Sequence, residues 1–157
     1  MGRTKSCLLF CIEEGRYVLD VTAVERIVRA VEVTFVPDAP AFIQGLINVS
    51  GEIVPVIDMR RRLGLPIRDM ELSDRFILTN VAGRLRALLV DRVEGVVELP
   101  THSVTSVRSA ATDTTPTAVI IDGSIVLIQE IEAFVSETTP FQVEGQLEGG
   151  YTWLKNI

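Results

Sequence analysis

The sequence predicts an all-β protein, and three observations carry that expectation. Short apolar runs dominated by Val, Ile and Leu recur at even spacing, about ten of them, each bounded by Gly, Pro, Asp or Ser. Helix signals are confined to segments of about five residues or fewer. A charged, irregular stretch from Arg68 to Asp74 parts two halves near residue 70, with about five strands each. That balance fits two small barrels better than one large sandwich.

Taken in order, Cys7 to Ile12 is a strand, Glu13 to Arg16 a turn and Tyr17 to Val21 the returning strand. From Val24 to Val36 β-branched residues dominate without strict alternation, which predicts a long strand bent by a bulge or buried on both faces. Pro37 and Pro40 stop it, and Ala41 to Gln44 is a candidate helical turn. The best-marked stretch comes next. Leu46 to Val49 and Ile53 to Ile57 form a hairpin around Ser50, Gly51 and Glu52. Asp58 is an N-cap for a short helix over Met59 to Leu63, Gly64 supplies the left-handed residue that ends it, and Pro66 forbids continuation.

Beyond the charged connection, Arg75 to Val81 and Arg84 to Asp91 form a hairpin around Ala82-Gly83, and Val93 to Leu99 adds a strand that ends at Pro100. Thr101 to Thr117, rich in Ser, Thr and Ala, reads as a loop. Ala118 to Ile121 and Ser124 to Gln129 flank Asp122-Gly123, a pair suited to the positive φ of a type I′ turn. Ile131 to Val135 is a candidate closing helix. Residues 136–157 are a polar tail that carries Tyr151, Trp153 and Leu154.

Composition narrows the function classes. With 47% hydrophobic residues in 157, the chain can bury about two thirds of its unfolded area. A net charge of -6, from 21 acidic and 15 basic side chains, lacks the electrostatic footprint of a phosphate-binding surface, so nucleic acid is not an expected partner. The longest apolar run falls short of the roughly 18 to 20 residues of a membrane span. Met1 to Ile12 imitates a signal peptide, but its apolar part is short and Glu13-Glu14 follows at once. Cys7 and Cys11, four positions apart on one strand face, would sit roughly 13 Å apart. That is too far for a disulfide, and they read as small core hydrophobes of a reduced, cytoplasmic chain.

The sequence holds no G-x-S-x-G elbow, Walker loop, H-E-x-x-H pair or cysteine pair at zinc spacing, and no cofactor is expected. With His102 the sole histidine, no metal site is expected either. His102-Ser103 is the nearest approach to a hydrolase pair, but adjacent residues at a strand end point apart, which favours a solvated loop. Arg60, Arg61 and Arg62, with Arg75, Arg84 and Arg86, are the main basic concentration. Two readings stay open for it: a solvated rim beside a helix C-terminus, or a patch for an acidic protein partner.

The pattern G-x-I-N-x-x-G-x-I-V-P-V-I-D-x-R-x-R-L-G from Gly45 to Gly64 resembles the signature of the CheW-like family of chemotaxis coupling proteins. Ala87 to Pro100, the Tyr17-x-x-Asp20 pair, Val24 to Ile27, Pro37 to Gly45 and the late I-D-G-x-I-V-L-I pattern extend the likeness over about residues 7 to 135. The resemblance implies two intertwined five-stranded SH3-like β-barrels in a domain over residues 1–135. These barrel subdomains divide near residue 70, strand exchange between them is left open, and 136–157 is a tail. It also implies a non-catalytic adaptor, not an enzyme, that joins the cytoplasmic tips of methyl-accepting chemoreceptors to the regulatory domain of the histidine kinase CheA. Its place would be cytoplasmic, beside membrane receptor arrays. A groove between the barrels would accept a helical hairpin tip.

Carried over by motif position, the partner-binding residues are Val24, Arg26, Gly45, Ser50, Val90 and Asp91, while Asn48, Gly51, Pro55, Asp58 and Gly64 are architectural. Two positions depart from the family pattern. The family usually has Arg where this chain has Ser50, and commonly has Glu where it has Arg26. If acid and base normally pair, losing one alone would strand a charge, so their joint replacement is the less costly change. A diverged adaptor that serves a different signalling partner is the alternative this suggests.

Overall fold

The computed structural model describes residues 4–81, 83–100, 105–106, 117–128, 146–147 and 150–151. Along the chain these form β1 (Thr4–Ile12), β2 (Gly15–Asp20), a 3₁₀ turn (Val21–Ala23), β3 (Val24–Arg29), β4 (Ile43–Val49), β5 (Glu52–Asp58) and α1 (Met59–Leu63). There follow β6 (Arg75–Val81), β7 (Arg84–Val90), β8 (Arg92–Pro100), β9 (Thr105–Ser106), β10 (Thr117–Ile121), β11 (Ser124–Ile128), β12 (Gln146–Leu147) and β13 (Gly150–Tyr151). The molecule is all-β. Ile131 to Val135, His102, Ser103 and Trp153 lie outside the described residues. No helix among the described residues is long and apolar enough to cross a membrane.

Two sheets carry the fold, ordered β8-β1-β2-β11-β10-β9 and β3-β6-β7-β5-β4, with β12 and β13 paired separately. The first sheet has six strands rather than the expected five, because Thr105 and Ser106 pair with Ala118 and Thr117. Pairing does not follow chain order. β1 sits between β2, its hairpin neighbour, and β8, where Thr4 aligns with Pro100. Residue 70 falls in the connection between β5 and β6, both strands of the second sheet.

The local signals behave as their chemistry requires. Asp58 accepts from the backbone N–H of Arg60 and Arg61, and Gly64 ends α1 at φ 69°. Asp122 and Gly123, at φ 50° and 80°, form the β10–β11 turn. In the β4–β5 turn Ser50 and Gly51 are at φ 51° and 87°, and the Asn48 side chain accepts from the Gly51 N–H at 2.8 Å. That bond ties Asn48 to the turn backbone.

Two expectations are corrected. The long strand from Val24 to Val36 stops at Arg29, with its irregularity between Val24 and Arg26. The chain then leaves β6, Ala30 donates to the Asp74 carbonyl, and Thr34 exchanges both backbone bonds with Leu46 at 2.8 and 2.9 Å. Alternation fails because this segment serves two different neighbours. Its arrival at β4 brings the two edges of the second sheet together and closes it as a barrel. The helical turn expected over Ala41 to Gln44 is cut to one tight turn, in which the Ile43 N–H donates to the Pro40 carbonyl at 2.9 Å. From Ile43 the chain is already β4, and the Asp58 N–H donates to the Phe42 carbonyl at 2.7 Å, so the ladder takes over before a helix can extend.

Among the described residues, three apolar clusters fill the fold. One lies inside each sheet: Cys7, Leu9, Val18, Leu99, Val119 and Val126 in the first, and Ile47, Val54, Val56, Phe76, Leu78 and Ala87 in the second. The third joins the sheets, with Leu8, Phe10, Ile12 and Leu19 against Ile57, Met59, Ile77, Leu88 and Val90. Successive residues of β1 and β7 thus enter different cores, which is why these strands read as unbroken apolar runs.

Candidate functional site

Where the two sheets meet, a polar network caps the shared core. Asp91, in the one-residue break between β7 and β8, is its hub. Arg60, on the first turn of α1, donates through Nη2 to both Asp91 carboxylate oxygens, at 2.8 and 2.7 Å. Its Nη1 donates to the Pro66 carbonyl at 3.0 Å and pairs with Glu13 of the β1–β2 turn. Arg68 reaches Asp91 at 2.9 Å and grips Asp74 with two bonds at 2.7 and 3.0 Å. The Glu13 N–H donates to Asp91 at 2.7 Å.

These contacts bring together three segments that are remote in sequence: the β1–β2 turn, residues 60–74 and Asp91. They also set the local electrostatics. Asp74 is only 1% exposed. Burial alone would raise its carboxyl, but the Arg68 hydrogen bonds, the Glu71 N–H and the charges of Arg68 and Arg60 outweigh burial and hold it below the usual carboxylate range. Arg68 is pushed up chiefly by its hydrogen bonds to Asp74. A cleft of about 860 Å³ opens over the network, lined by Glu13, Arg60, Arg68, Asp74, Arg75 and Asp91 among others. The surface offered there is made of charges already matched to one another, suited to a polar contact and not to proton transfer.

Of the remaining sequence-predicted residues, Val24 and Val90 touch the shared core, while Arg26, Gly45, Ser50 and Pro55 lie on strands and a turn of the second sheet. Arg26 and Ser50 meet: the Arg26 Nη2 lies 3.4 Å from the Ser50 hydroxyl, which accepts from it. The two positions that depart from the family pattern are therefore neighbours, as the pairing argument requires. Gly45 has an internal reason to lack a side chain. At φ +153°, a Cβ would lie 2.2 Å from the Thr34 carbonyl oxygen and 2.7 Å from Val33 Cγ1, so the barrel closure itself excludes one. Val24 is partly buried against the shared core. Val90 is fully buried in it, so its side chain presents no surface and packs the two sheets together. Pro55 aligns with Leu46, and it lacks the N–H with which a strand would bond β7.

The arginine run resolves into separate roles. Arg60 is buried at 6% exposure, which corrects both readings of that position as a rim or a patch. Arg61 lies 3.4 Å from the Asp58 carboxylate, and Arg62 sits over the Phe42 ring at 5.8 Å. Sequence reasoning singled out Asp91 but missed its partners Arg68 and Glu13, and missed Asp74, which Arg68 also holds. From sequence, Arg68 to Asp74 reads as a plain surface connection. The only signal there was the density of opposite charges. Cys7 and Cys11 are buried and free, and no group of three or more His, Cys, Asp or Glu among the described residues is arranged to hold a metal ion.

The family model described as the CheW-like domain matches residues 6–139. The chemotaxis protein CheW of Treponema pallidum is 30% identical over 101 residues, 62% of this chain, and the match spans 59% of that protein, less than two thirds of its length. CheW of Thermotoga maritima is 27% identical over 134 residues, 84% of this chain and 88% of that protein. Among solved structures, the scaffolding protein TtCheW from Thermoanaerobacter tengcongensis superposes with a TM-score of 0.71 at 29% identity, over 83% of this chain and 90% of that one. The match to residues 6–139 takes in both sheets, the barrel closure and the Asp91 network, and the chain belongs to the CheW-like family of chemotaxis scaffolding proteins.

Proposed function

We propose that this chain is a non-catalytic adaptor that couples chemoreceptors to the histidine kinase CheA, with residues 1–135 as the CheW-like domain and 136–157 as a tail. The observation that carries this reading is the pair of sheets packed through one shared core, matched over residues 6–139 by the family's model. The adaptor works by holding partners together, not by making or breaking bonds. Its site of action is cytoplasmic, beside membrane receptor arrays. Val24, Arg26, Ser50 and Asp91 mark the surface at which a helical receptor tip docks, with Gly45 and Val90 supporting it from within. Mixing the purified chain with receptor signalling tips and CheA should give a ternary complex in size-exclusion chromatography. Binding to neither partner would overturn the proposal.

The Arg26–Ser50 contact favours a second reading, a CheW-like scaffold for a different signalling partner. Affinity capture from cells separates the two. Recovery of chemoreceptors and CheA supports the first, and their absence beside another signalling protein supports the second.

A further inference from the structure

We propose that the gap beside Arg86 receives a carboxylate side chain from a protein partner, an inference that rests on the adaptor reading above. β5 and β7 run parallel, but their ladder begins only at Val56 and Ala87. Upstream of it the strands leave a cleft of about 140 Å³ lined by Glu52, Ile53, Pro55, Gly83, Arg84 and Arg86, with Leu85 beside them. Arg86 is 5% exposed. Its Nη1 donates to the Leu85 carbonyl at 2.9 Å, and its Nε is buried without a hydrogen-bond partner. Among the described residues no carboxylate forms an ion pair with it. Burial, and then the neighbouring Arg84, push this guanidinium below its usual range. An ion held out of water without a counter-charge is costly, and a partner that supplied the charge would remove that cost on binding.

The chemistry selects a monoanion. With Nη1 committed to Leu85, the Nε edge of the guanidinium remains, a side-on fork that matches a planar carboxylate. Two cations, Arg84 and Arg86, line the gap with one anion, Glu52. A single negative charge balances them, whereas a doubly charged phosphate would face Glu52 in excess. The position selects a protein. Thr79 aligns with Val24 on one side and with Arg86 on the other, so the three form one cross-strand row. A partner docked at Val24 would reach Arg86 about 10 Å away.

The test has two arms. The Arg86 Nε–Hε resonance is followed during titration of the wild-type chain with sodium acetate and, separately, with inorganic phosphate at equal ionic strength. Acetate should shift it saturably and more than phosphate does, and the response should vanish in Arg86→Gln. In the second arm, Arg86→Leu should weaken binding to the receptor tips or CheA by about tenfold, while the Tm of the free variant rises, which shows that it folds. No acetate response, a stronger phosphate response, or unchanged partner binding by Arg86→Leu would overturn the proposal. If the wild-type chain binds neither partner, the adaptor reading fails by itself, and the acetate response then stands as support for the site alone.

Discussion

Arg60 and Arg86 are equally withdrawn from water, yet one guanidinium is saturated and the other nearly bare. Arg60 holds Asp91, Glu13 and the Pro66 carbonyl, while Arg86 holds one carbonyl of its own strand. The difference teaches that burial does not define the role of a charge. A buried arginine with its counter-ions ties segments together, and the same residue without them carries an uncompensated cost of burial.

The sharpest way to break this contrast is to remove the hub. Asp91→Ala takes from buried Arg60 its bidentate counter-ion and from Arg68 one of its two carboxylates, and should lower unfolding free energy by about 4 kcal/mol in urea titration. A loss below about 1 kcal/mol would mean that the network does not stabilise the fold. Next in size is Gly45→Ala. The added Cβ meets the Thr34 carbonyl, and a cost of about 3 kcal/mol is expected from the broken closure. Hydrogen exchange should show Thr34 and Leu46 amides deprotected first, and normal protection there would sink the steric account.

Acid sharpens the comparison further, because the network has carboxylates and the Arg86 gap has none paired. Asp74 is held below its ordinary value, so its contribution is fully present above the unfolded value of about 3.9 and is lost as pH falls through the lower folded one. Denaturant midpoints measured between pH 7 and pH 2 should fall along that limb. Asp74→Asn should flatten the limb, and an unaltered one would assign the acid sensitivity elsewhere. At the other end of the comparison, Arg86→Leu should stabilise the free chain by about 1 kcal/mol. The smallest effect belongs to the exposed contact between Arg26 and Ser50. Restoring the family's pair as Arg26→Glu with Ser50→Arg should give a coupling of about 0.5 kcal/mol in a double-mutant cycle, and zero coupling would deny that the two positions interact.

The all-β class, the turns and the capped helix were legible in the sequence, and so was Asp91 as a marked position. Its partners were not. Arg60 reaches Asp91 across 31 residues and Arg68 reaches it across 23, and no spacing rule relates such positions. The strand expected from Val24 to Val36 failed for a related reason: Thr34 extends toward Leu46, a strand not yet formed when the segment is read alone. Gly45 announced a constraint without its cause, since a glycine says that something approaches but not what.

The sequence by itself determined the Ser50-Gly51 and Asp122-Gly123 turns and the Asp58 and Gly64 ends of α1. Those depend on φ preferences and on hydrogen bonds within a few residues. Only the tertiary structure decided that β1 lies between β2 and β8, that Thr34 closes the second barrel, and that Arg60 finds counter-ions where Arg86 does not. The physical reason is common to all three. Whether a buried donor or charge is satisfied depends on atoms that chain folding brings in from elsewhere, and local propensity carries no information about them.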